Sequence, residues 1–61
     1  MATYRWTASY WDGRTSRTAN STITVPANTT HDEIRTQALN TLRRTAQVDM
    51  VFTFIATPTS A

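Results

Sequence analysis

The sequence predicts a small α+β domain of order β-β-α-β, and three observations carry that prediction. Residues 2 to 11 alternate in polarity and run directly into Asp12-Gly13. Thr30-His31-Asp32-Glu33 opens a stretch with helical apolar spacing, and residues 49 to 57 return to a period of two before Pro58. The expected architecture is one domain over residues 1–57, a three-stranded antiparallel sheet with one helix packed on one face, followed by a frayed tail, 58–61.

In the first strand Ala2, Tyr4, Trp6, Ala8 and Tyr10 share one side, and Thr3, Arg5, Thr7, Ser9 and Trp11 share the other. Asp12-Gly13 favours positive φ and a tight hairpin. A two-residue turn would set Ile23 opposite Ala2 and leave Val25 beyond the start of the chain, whereas a longer loop through Arg14 and Thr15 sets Ile23 near Tyr4. The longer loop is the better register, and either one keeps Ala19, Ile23 and Val25 on the Tyr4–Trp6 side. Pro26 ends the second strand because it has no N–H to give the ladder.

Thr30 and Glu33 form a capping box: the Thr30 hydroxyl is placed to accept from the Glu33 amide, and Glu33 to reach back to the Thr30 amide. At 100° per residue Ile34, Ala38, Leu39, Leu42 and Ala46 fall within one arc, which predicts an amphipathic helix ending near Gln47. Arg35 falls inside that arc, so it is expected to snorkel past the sheet or to pair with a carboxylate such as Asp49. The last strand alternates Met50, Phe52, Phe54 and Ala56 against Val51, Thr53, Ile55 and Thr57. Both sets contain apolar residues; Met50, Phe52 and Phe54 are assigned to the core with Tyr4, Trp6, Ala8, Tyr10, Ile23, Val25, Ile34, Ala38, Leu39 and Leu42. The third strand is free to lie beside the first or, as a crossover, beside the second; the first arrangement is favoured.

Composition narrows the function. The chain has 61 residues with no Cys, one His, one Gly, and six Arg against four acids, for a net charge of +2. Without Cys there is no disulfide, thiolate nucleophile or Cys-ligated zinc, and a lone His cannot build the usual multi-His metal site. A single glycine cannot form a phosphate-cradling loop. His31 is expected as an exposed residue of the first helical turn, where Asp32 and Glu33 complement the helix dipole. No catalytic, metal or cofactor residue is assigned, and the chain is read as not an enzyme. No apolar run approaches the roughly 20 residues of a membrane-spanning helix. The N-terminus lacks the basic and apolar regions of a secretory signal, so a cytoplasmic protein is expected.

Fourteen Thr and 16% charged residues describe half-buried sheet surfaces rather than charged helix faces. So short a chain buries little core, which makes self-association, as a dimer, the natural remedy through either a sheet edge or the open face. The expected function is a non-catalytic protein-interaction module of inhibitor or accessory-factor type that homodimerises and meets an unidentified protein partner. Its candidate partner-binding residues are Trp11, Arg14, Arg17, Arg5, Val51 and Ile55. Trp11 leads because its parity removes it from the core and places a large aromatic near Arg14. The alternative is a nucleic-acid binder using the arginines and Trp11; pI 10.0 supports it, and the small net charge opposes it.

Overall fold

A computed structural model describes residues 1–59. It contains β1 (Ala2–Trp11), β2 (Ser16–Val25), α1 (His31–Thr45) and β3 (Met50–Pro58), with β1 central in an antiparallel sheet of order β2-β1-β3. The expected fold class, element order and central first strand are all present. The β1–β2 hairpin uses the longer loop, residues 12–15, and pairs Tyr4 with Ile23 and Ala8 with Ala19. Asp12 closes it: its Oδ1 accepts the amides of Arg14 and Thr15, both at 2.8 Å, while its own amide donates to the Thr15 carbonyl. Gly13 sits at φ +98°, a conformation that L side chains rarely adopt.

Thr30 caps α1, its hydroxyl oxygen accepting from the Glu33 amide at 3.2 Å. The reciprocal half of the capping box differs from expectation: Glu33 Oε1 takes the Thr30 hydroxyl at 3.1 Å rather than the Thr30 amide. The helix buries Ile34, Ala38, Leu39 and Leu42, and the last three pack with Trp6, Ala8 and Tyr10 of β1. Alternation along the central strand supplies one half of the core and helical spacing the other. Phe54 adds a ring stacked on Trp6, centroids 6.0 Å apart.

β3 departs from the sequence reading at a β-bulge. Pairing runs regularly from Tyr4↔Pro58 to Ser9↔Thr53, then shifts by one residue to Tyr10↔Val51 and Trp11↔Met50, leaving Phe52 without a partner. Every side chain before the bulge therefore changes face relative to strict alternation. Val51, expected on the open face, packs against the core instead. Met50 and Phe52, expected in the core, stand 58% and 52% exposed. Tyr4, also assigned to the core, is half-buried. β3 extends one residue past the expected end, and Thr59 continues the pairing through its amide and hydroxyl, both donated to the Thr3 carbonyl. The rest of the expected tail lies outside the described residues.

Candidate interaction surface

One face of the sheet carries α1; the other is open. Because Trp6, Ala8 and Tyr10 point to the helix, Thr3, Arg5, Thr7, Ser9 and Trp11 point away. Their partners on β2 are Thr24, Thr22, Asn20, Thr18 and Ser16, all exposed. On β3 the open face continues through Thr57, Ile55 and Thr53 and, beyond the bulge, Met50. Thr3 and Thr24 join hydroxyls across the strands at 3.1 Å.

Two features set this surface apart. Its exposed apolar groups are Trp11 at 38%, Met50 directly opposite it, and Ile55 at 64%. Among the described residues it also holds no carboxylate. All four acids lie elsewhere: Asp12 in the hairpin loop, Asp32 and Glu33 in the first turn of α1, and Asp49 in the connection to β3. Arg5, between Thr22 and Thr57, is the single charge among the described residues of the face. The surface is a hydroxyl-rich plane with one cation near its centre and an apolar end at Trp11 and Met50.

The predicted site residues divide accordingly. Trp11, Arg5 and Ile55 share the open face, and Val51 does not belong to it. Arg17 pairs with Tyr10 and so lies on the helix side, where its Nε donates to Asp12 Oδ2 at 2.5 Å. Arg17 stays exposed but is paired through that contact, and Arg14, also exposed, lies in the loop beside it. Asp12 is held down at about 2, first by the Thr15 amide, then by the Arg17 side chain and the Arg14 amide, all of which stabilise the carboxylate. Trp11 takes no part in the ring contacts among the described residues, which are Trp6–Phe54 and His31–Phe54. Met50 was missed as a surface residue because no local signal marks the bulge.

The hairpin loop docks on the α1–β3 connection. The Asp49 amide donates to the Trp11 carbonyl at 2.8 Å, and an open groove of about 550 Å³ runs between Tyr10, Asp12, Arg14, Arg17, Ala46 and Gln47. Arg35 is exposed and makes no ion pair among the described residues; of its two expected placements the pairing with Asp49 is not the one seen, and Asp49 Oδ1 accepts from Gln47 Nε2. His31 is exposed at the helix start, in a T-shaped ring contact with Phe54. Among the described residues no three His, Asp or Glu side chains cluster as metal ligands would, and no helix is long and apolar enough to cross a membrane. Comparisons with protein-family models, with curated proteins and with solved structures give no match.

Proposed function

We propose that this protein is a non-catalytic protein-interaction module that dimerises and presents the open face of its sheet to a protein partner. The observation that carries the reading is the exposed Trp11–Met50 pair on a face that, among the described residues, holds no carboxylate. A large aromatic beside a flexible thioether gives substantial apolar area at one end, and the surrounding Thr and Ser hydroxyls adapt as donors or acceptors. Arg5 adds a single cation that favours an acidic or carbonyl-rich partner surface. Dimerisation is supported by the small core: eight buried apolar residues among those described, under a sheet with two edges.

The test is affinity capture with the wild type and with Trp11→Ala as paired baits, each checked by thermal melt. A protein recovered by the wild type and lost with Trp11→Ala, at a comparable melting temperature, supports the reading. Recovery of the same proteins by both baits refutes the role of the face. Nucleic acid is the second reading, favoured by Arg5 and Trp11 sharing a face with no acid among the described residues to repel phosphate. It is tested by anisotropy with short mixed-sequence DNA and RNA at about 50 and 200 mM salt. Tight binding that collapses at the higher salt replaces the protein-partner reading with this one.

A further inference from the structure

Building on the dimer proposed above, we infer that two copies join through the free edge of β2, antiparallel, to make one continuous six-stranded sheet. The two edges of this sheet are not equivalent. On β3 the regular run after the bulge alternates so that Thr53, Ile55 and Thr57 bond β1, the same phase that brings the Thr59 amide to the Thr3 carbonyl. Its outward residues are Phe54, Ala56 and Pro58, and Pro58 has no N–H. A bulge at one end and a proline at the other are the devices by which natural sheets close an edge.

β2 has neither. The Asp12 amide bonded to the Thr15 carbonyl fixes the phase of the hairpin, so that Arg17, Ala19, Ser21, Ile23 and Val25 bond β1. The N–H and C=O groups of Ser16, Thr18, Asn20, Thr22 and Thr24 then point to the free side. These five residues are exposed, and among the described residues no hydrogen bond is made to their outward backbone groups. The strand is ten residues long, without proline or bulge, and its one charge, Arg17, is already paired with Asp12. A long, regular, nearly uncharged edge of this kind is a template for another strand.

With a second copy as the partner, two-fold symmetry leaves one geometry and two registers. Two identical edges pair antiparallel about a two-fold axis perpendicular to the sheet, which keeps both helices on the same face. Facing residues must share a side of the sheet, so one residue on the axis pairs with itself; full overlap of β2 puts Asn20 or Ser21 there. In either register Arg17 faces an apolar residue of the second copy, Ile23 or Val25, and never the other Arg17. The ladder gains about eight to ten backbone hydrogen bonds. Because the outer edges of the product are the two bulged β3 strands, growth stops at the dimer. The open faces also become one surface carrying two Trp11–Met50 sites.

The inference is tested by sedimentation over micromolar to millimolar concentration, with amide hydrogen exchange read residue by residue. The expected result is a dimer in which the Thr18, Asn20 and Thr22 amides become protected as concentration rises. Thr22→Pro removes an outward donor without touching the β1 ladder; it enters the interface twice and should weaken dimerisation at least about tenfold. Thr22→Val keeps the donor and should dimerise as the wild type does. If Thr22→Pro fails to fold, the exchange of the wild-type amides decides. A dimer whose Thr18, Asn20 and Thr22 amides exchange freely overturns the β2 edge while leaving dimerisation intact. A monomer at every concentration overturns both.

Discussion

The bulge in β3 is the feature that most alters the surface, and a pair of lysine substitutions tests it. Val51 packs against Trp6, Ala8 and Tyr10 and their helical partners, whereas Phe52 is 52% exposed and has no cross-strand partner. In Phe52→Lys the aliphatic stem still covers neighbouring surface and the ammonium reaches water, so the cost is that of lost aromatic area and strand preference, about 1 kcal/mol. Val51→Lys loses about 1.5 kcal/mol of apolar burial and drives a larger, charged side chain against the core, for about 3 kcal/mol together. The difference of about 2 kcal/mol corresponds to roughly 8–16 °C in Tm for a domain of this size. Thermal melts followed by circular dichroism, with urea titrations to check that the slopes agree, measure it directly. Strict alternation through β3 demands the opposite order, with Phe52 in the core. If Phe52→Lys melts at or below the temperature of Val51→Lys, the bulge and the exposed Met50 are both refuted.

The hairpin loop supplies two further tests. Gly13→Ala forces a side chain into φ +98° and puts its Cβ 3.0 Å from Asp49 Oδ2 and 3.3 Å from Gln47 Nε2, so a loss of about 1–3 kcal/mol is expected in urea unfolding. An unchanged midpoint would show that the loop does not dock on the α1–β3 connection. The Asp12 carboxyl titrates near 2 when folded, against an ordinary value of 3.8. Since the folded value is depressed, its stabilisation is complete above about pH 4 and disappears as pH falls through about 2. Comparing acid unfolding of the wild type with Asp12→Asn, which keeps the Oδ1 acceptor and removes the charge, should show the two curves converging as pH falls through this window. Curves that stay parallel would assign Asp12 no charge-dependent role.

How legible the molecule was in its sequence varied by element. α1 could be read because helical spacing and its capping signals are local: Thr30 and Glu33 are three residues apart, and Ile34, Ala38 and Leu42 meet on one face at any distance from the sheet. β1 could be read because its two sides differ sharply, with Trp6, Ala8 and Tyr10 on one and Thr, Ser and Arg dominating the other. Trp11 followed from the same contrast. β3 was different. Apolar side chains occupy both of its parities, so its pattern gave a strand but not the face of each residue: Val51 and Met50 were assigned to the wrong faces, and Phe52 to a core from which it stands exposed.

The amino-acid sequence by itself determined the elements, their order, the parity of β1 and β2 and the exposure of Trp11, because each depends on contacts within a turn or across a hairpin. Only the tertiary structure decided the bulge and the exposure of Arg35 without Asp49. Each of those depends on where chain segments distant in sequence settle against one another. The connection after α1 must deliver the Asp49 amide to the Trp11 carbonyl while Val48 and Val51 reach the core, and one extra residue at Phe52 reconciles that end with the regular pairing beyond it. The same extra residue makes the edges of the sheet unequal, closing β3 and leaving β2 open.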